Sequence, residues 1–201
     1  MNNFDKILNS KEVRNYYDIL IKNNWKNTPF ENYKNLDPKQ KGVLGEMIVE
    51  KIMLTEGHKV KKPGNPGHDR IINGIKTEIK FGLAISPTCK KTKTKLIEPD
   101  NFTFNHIALE KDWEKFIFCG INPDKDNKNV RISPNQKWPK YRIYVMDKVD
   151  FEKHMSGADT YPFKRQQGGK GSTNDDYIVA GSKACADLFA LPFVKEYKGV
   201  L

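Results

Sequence analysis

Apolar residues recur along this chain with two different periods, and the points where the period changes divide it into elements. Between 5 and 24, Ile7, Leu8, Val13, Tyr16, Tyr17, Leu20 and Ile21 fall at helical spacing and stop at Asn23-Asn24, which predicts a first helix. A second start signal follows, with Asp37 as cap, Pro38 in the first turn and Gln40 at the capping-box position. The helix it opens is predicted over 38–56, ending at Gly57. Its apolar residues (Val43, Leu44, Met47, Ile48, Val49, Ile52, Met53, Leu54) cover nearly the whole circumference, the pattern of a helix buried on all sides. Glu46 and Glu50 stand one turn apart among them.

The period then shortens. Asp69 to Ile72 and Ile75 to Phe81 are two β-compatible runs joined by Asn73-Gly74, a strong two-residue hairpin signal. Lys115 to Ile121 (KFIFCGI) and Tyr141 to Met146 read as central strands. Between them and the hairpin, Asp100 to Lys111 is predicted as a helix carrying Phe102, Ile107, Ala108 and Leu109, and Ser182 to Leu191 as a last one. Strands interleaved with helices predict an α/β class, one central mixed β-sheet flanked by helices. At 201 residues, without internal repeats, the expectation is a single domain over 1–201, with the core of the candidate chemistry over about 38–150.

Charge narrows the range of partners. The formal net charge is +10, which favours a polyanion. Of 35 basic residues only five are Arg (Arg14, Arg70, Arg131, Arg142, Arg165). A Lys-dominated surface suits contact with phosphates better than readout of bases, and it also describes a merely well-solvated surface. Cys89, Cys119 and Cys185 lie far apart with no CxxC or His-Cys spacing, which excludes a zinc finger and a disulfide framework as readings. No run approaches the length of a membrane span, and no apolar leader precedes Asn23, so a cytoplasmic protein away from membranes is expected. P-loop, dinucleotide-binding and Ser-His-Asp signatures are absent.

The hairpin carries the candidate chemistry. With a two-residue turn at 73 and 74, Ile72 faces Ile75, Ile71 faces Lys76, Arg70 faces Thr77 and Asp69 faces Glu78. Opposed carboxylates about 5 Å apart repel unless something positive lies between them, as a divalent cation would. Lys80 projects from the same face as Glu78, about 7 Å further along the strand. Asp69, Glu78 and the backbone carbonyl of Ile79 form a hard oxygen set suited to Mg²⁺, and Lys80 is placed to orient an attacking water.

These residues resemble the PD-(D/E)xK nuclease superfamily, to which most type II restriction endonucleases belong. KGVLGEMIVE, GHD and EIK stand in this chain where the family has an acidic helix, an Asp opening a hairpin and (D/E)xK on the next strand. The KGxxG opening is similar to that of MutH-type enzymes, while His68 replaces the Pro usual before the Asp. The resemblance implies a restriction-endonuclease-like fold and Mg²⁺-dependent hydrolysis of double-stranded DNA at a short sequence, with Asp69, Glu78 and Lys80 catalytic and Glu46 preferred to Glu50 as the helix acid. A palindromic target would call for a homodimer. A repair nuclease of the same fold and a non-catalytic DNA-binding protein are the alternatives. In KRQQGGKGSTNDD (164–176), Arg165, Gln166, Gln167, Lys170, Ser172, Thr173 and Asn174 have the donors and acceptors used on phosphates and base edges, and His106 could contact DNA or serve the site.

Overall fold

The computed structural model describes residues 11, 30–31, 33–64, 67–84, 98–122, 139–166 and 176–201, with the side chain of Lys34 set aside. The chain divides into two compact units, Met1–Leu36 and Asp37–Leu201. In the first, the described residues include a short 3-10 turn, Tyr33–Asn35; the helix predicted over 5–24 lies outside the described residues apart from Lys11. The second unit is mixed α/β. Its six-stranded sheet has the order β1-β2-β3-β5-β6-β9, formed by β1 (Val60–Lys61), β2 (Arg70–Ile72), β3 (Ile75–Leu83), β5 (Lys115–Ile121), β6 (Tyr141–Asp147) and β9 (Lys195–Glu196). A three-stranded sheet, β4-β8-β7, is built from β4 (Thr103–Ala108), β7 (Lys164–Arg165) and β8 (Asp176–Ala180). Helices α1 (Pro38–Thr55), α2 (Lys148–Met155) and α3 (Ser182–Phe189) complete the unit. Among the described residues no helix is long and apolar enough to cross a membrane.

Strands β3 and β5 run parallel at the centre, Glu78 beside Phe116 and Lys80 beside Phe118. Because side chains alternate along a strand, β5 feeds two cores. Phe116 and Phe118 join Phe102, Phe104, Trp113, Phe151 and Tyr177 on the face shared with the smaller sheet. Ile117 and Cys119 join Val49, Met53, Ile72 and Ile79 on the face shared with α1. Glu78 and Lys80 therefore leave β3 toward the aromatic side, and Ile79 toward the helix.

Helix α1 begins as its sequence signals: Gln40 N–H donates to Asp37 Oδ1 at 2.8 Å, and Asp37 N–H donates to Gln40 Oε1 at 2.9 Å. The expectation of burial on all sides is overturned. Only Gly45, Val49 and Met53 are buried, while Met47 and Val43 are about half exposed. One stripe of the helix lies on the sheet and the remainder faces away, with no second packing partner for its apolar surplus among the described residues of this unit. Gly45 sets how closely that stripe approaches, since a Cβ built there would stand 2.2 Å from Phe81 Cβ and 2.6 Å from its Cγ.

The hairpin forms at the predicted register, Arg70 with Thr77, Ile71 with Lys76 and Ile72 with Ile75. Positive φ at Asn73 (51°) and Gly74 (90°) is what a two-residue turn of this hand requires. The helix expected over 100–111 is instead strand β4. Its pairing with β8 passes from Phe104 opposite Val179 to Ile107 opposite Tyr177, so Asn105 and His106 together oppose Ile178. That extra residue leaves Phe104 and Ile107 three positions apart although both are fully buried. A bulged strand thereby acquired the spacing of a helix.

Replacing Gly45 by Ala is expected to force the helix off Phe81 and to cost about 1–3 kcal/mol in urea unfolding. Gly42→Ala, where a Cβ meets nothing within 4 Å, is expected to be neutral or stabilising by up to about 1 kcal/mol. Equal effects at the two positions would remove the close-approach role given to Gly45.

Candidate active site

Four carboxylates and three cations converge where β2 leaves the hairpin ladder. Glu78 is fully buried, and its Oε1 accepts from both Lys80 Nζ and Lys111 Nζ, each at 2.6 Å. Its Oε2 is buried without a hydrogen-bond partner among the described residues. A buried carboxylate so strongly engaged on one oxygen and bare on the other is asymmetric, and the bare oxygen has capacity for a further positive group.

Asp69 reaches the same place by a departure from the ladder. Its N–H donates to the carbonyl of Thr77 at 3.1 Å, the residue whose Cα partner is Arg70. Two consecutive residues of one strand thus address one residue of the other, and the direct cross-strand pairing of Asp69 with Glu78 expected from a regular ladder is corrected to this local bulge. The Asp69 side chain occupies the vacated position: Oδ2 accepts from Ile79 N–H at 2.7 Å. The two acids still feel each other. Burial first, and then the charge of Glu78, push the Asp69 carboxyl above the usual carboxylate range, against the opposing pull of Lys80 and the Ile79 bond.

Arg70 ties helix α1 to this corner. It is nearly buried, donating from Nε to Glu50 Oε2 at 2.7 Å, and from Nη1 to Glu46 Oε2 at 2.8 Å and to the carbonyl of Asp69 at 2.6 Å. Both helix acids are therefore held by one guanidinium. Of the two, the charge of Glu46 contributes to the raising at Asp69.

Sequence reasoning missed two members. Lys111, read there as the end of a helix, lies in the segment between β4 and β5 and bonds Glu78. Arg70, read only as a strand residue, organises both helix glutamates. Neither pairing leaves a local signal, because 33 residues separate Lys111 from Glu78 and 20 to 24 separate Arg70 from its acids. His68 is buried, with neither ring nitrogen partnered among the described residues. Of the residues expected to contact DNA, Arg165 is exposed in β7 and Gln166 follows it, while Gln167, Lys170, Ser172, Thr173 and Asn174 lie outside the described residues.

Among the described residues no group of three or more His, Cys, Asp or Glu side chains forms a ready cage for a metal ion. Mg²⁺ rarely needs one: it commonly keeps several waters and takes one or two carboxylates. Asp69, the bare oxygen of Glu78 and the Ile79 carbonyl fit that requirement chemically. No family model matches the chain, and no curated protein matches it. Among solved structures, a bacterial homing endonuclease aligns at a TM-score of 0.34 and 16% identity, over 67% of this chain and 83% of that one. A likeness of that depth decides nothing about activity.

In EDTA at neutral pH, Asp69→Asn is expected to raise the urea midpoint, because Asn still offers an oxygen to Ile79 N–H while losing the repulsion from Glu78. The sign follows from linkage. A carboxyl whose folded pKa lies above its unfolded value stabilises the fold below the ordinary carboxylate range, and that contribution is lost as pH rises through the raised pKa. Wild type and variant should therefore converge on acidification toward pH 4, and a midpoint gap that widened there would contradict the assignment.

Proposed function

We propose that this protein is a magnesium-dependent endonuclease that cuts double-stranded DNA at a short specific sequence, in the manner of a type II restriction enzyme. The observation that carries the reading is the meeting of Asp69 and Glu78 at the mouth of the hairpin, with Lys80 on Glu78 Oε1 and Glu78 Oε2 bare. Support comes also from the formal charge of +10 and from the resemblance of the helix, GHD and EIK segments to PD-(D/E)xK nucleases. Among the described residues, the four carboxylates Glu46, Glu50, Asp69 and Glu78 stand against the three cations Arg70, Lys80 and Lys111, an imbalance that a divalent cation would relieve.

Asp69, Glu78 and the Ile79 carbonyl would hold Mg²⁺, whose chemistry is to supply a water of lowered pKa and positive charge opposite a phosphate. The protein's own groups do the rest. Lys80 Nζ, anchored on Glu78 and only partly exposed, orients and polarises the water. Lys111, in the same bond network, adds positive charge where negative charge would grow on the phosphoryl oxygens. Glu46, through Arg70, fixes the backbone of Asp69 and so the direction of its carboxylate. Arg165 and Gln166 present donors beside the site, and a palindromic target would be met by a homodimer in the cytoplasm.

The test is a plasmid digest with purified protein in Mg²⁺ and in EDTA. Discrete linear fragments in Mg²⁺ alone are expected. Nicks alone would move the reading to a repair nuclease of the same fold, and a mobility shift without cutting would leave only DNA binding. Lys80→Ala and Glu78→Gln are expected to lower the cutting rate by at least about 100-fold with the gel shift in EDTA retained, and Lys111→Met by about 10-fold or more. Cutting at the wild-type rate by Lys80→Ala would sink the site.

A further inference from the structure

One polar pair beside the carboxylates is not used by the mechanism above. His106 sits in the β4 bulge with φ of 54°, a left-handed conformation that L side chains rarely adopt within a strand. Its N–H donates to Gln166 Oε1 at 3.1 Å, and its Nδ1 lies 2.8 Å from Asp176 Oδ2 at the start of β8. An ionised carboxylate only accepts, so Nδ1 carries the hydrogen, while Nε2 faces the Gln166 side-chain nitrogen at 3.5 Å, the long limit of a hydrogen bond. The burial is the reverse of that around a satisfied core histidine. The imidazole is 59% exposed, while the Asp176 side chain that holds it is 7% exposed and has Oδ1 without a partner among the described residues. A buried carboxylate anchoring an outward ring fixes the ring's direction, and the far nitrogen carries only the long contact with the Gln166 amide, which an incoming ligand would displace.

The pair belongs to the same electrostatic neighbourhood as the carboxylates. Lys111, bonded to Glu78, is acted on by the charges of Glu78, Asp69 and Asp176 together. Among the described residues, the groups that face His106 are Asp176 from β8 and Gln166 just after β7, with Lys111 beyond Asp176 from the β4–β5 segment. Gln166 and Asp176 also bracket the segment that the sequence marks for DNA contact.

We infer that His106, oriented by Asp176, is a further catalytic residue of this site, the proton donor to the sugar oxygen that leaves phosphorus; this rests on the nuclease reading above. In the step, the water oxygen bonds to phosphorus as the bond from phosphorus to the leaving oxygen breaks. The bonding pair passes to that oxygen, and the Nε2 hydrogen of the imidazolium passes to it as a proton. Water's own proton goes to solvent on the Lys80 side. The neutral imidazole, still donating from Nδ1 to Asp176, regains a proton from solvent before the next turnover.

A plasmid digest maps the cut, and a synthetic duplex of the mapped sequence is then made with either oxygen or sulfur at the leaving position. A thiolate leaves without a proton, so the sulfur duplex bypasses the proposed donor. His106→Gln is expected to cut the oxygen duplex at least about 100-fold more slowly than wild type and the sulfur duplex within about threefold of it, with Asp176→Asn showing the same selectivity at smaller size. Because both duplexes are cut by one preparation, their ratio does not depend on the folded fraction. Equal losses on the two duplexes would overturn the inference and leave the nuclease reading intact; wild type that cuts neither would overturn both.

Discussion

A carboxylate with no exposure to water has to be answered by the protein, and Glu78 sets that demand at the centre of this structure. Removing an ion from water costs several kcal/mol after relaxation, so an unanswered Glu78 would be incompatible with the marginal stability of a domain this size. Lys80 meets part of the demand from the same strand, two residues on, at no cost in topology. Lys111 meets the rest from the segment that joins the smaller sheet to the larger, so the path of the chain between β4 and β5 is constrained by the charge on β3. The aromatic layer of Phe116, Phe118, Trp113 and Phe151 beside it keeps water away and makes those two bonds matter.

The opposite side of the sheet solves a different problem. Helix α1 must lie close enough for Arg70 to reach Glu46 and Glu50, and Gly45 against Phe81 makes that approach possible. The same guanidinium bonds the Asp69 carbonyl, so the distance between helix and sheet and the position of the candidate ligand are fixed by one residue. A KGxxG opening and a helix acid, which read as separate motif elements in the sequence, are thus parts of one mechanical linkage.

What was legible in the sequence was what local chemistry decides. Asn73-Gly74 dictated the turn, the turn dictated the register of Arg70, Ile71 and Ile72, and Asp37 with Gln40 dictated where α1 starts. The continuous apolar run of β5 announced a strand buried on both faces. What stayed hidden depended on an irregularity or on distance. The bulge at Asn105 and His106 gave β4 a helical spacing, and the bulge at Asp69 moved its side chain from a ladder position onto the Ile79 amide. Strand β7 was hidden at the start of the stretch 164–176 read for DNA contact and β8 begins at its last residue, and Lys111 and Asp176 carry no mark of their partners until the two sheets are brought together.

The two bulges have the same consequence on different strands. A regular ladder would aim Asp69 straight across at Glu78 and would bury or expose His106 according to parity alone. One extra residue in each strand instead frees a side chain from the pleat and lets a neighbour take hold of it: the Ile79 amide for Asp69, the Asp176 carboxylate for His106. Both devices work against stability. The first keeps Asp69 beside a like charge that raises its pKa, and the second holds a non-glycine residue at positive φ. Either could be removed by one substitution, Asp69→Asn for the first and His106→Gly for the second. Both lie near Lys111, whose charge is acted on by Asp69 and Asp176 alike, so the two irregularities place their side chains in one electrostatic neighbourhood.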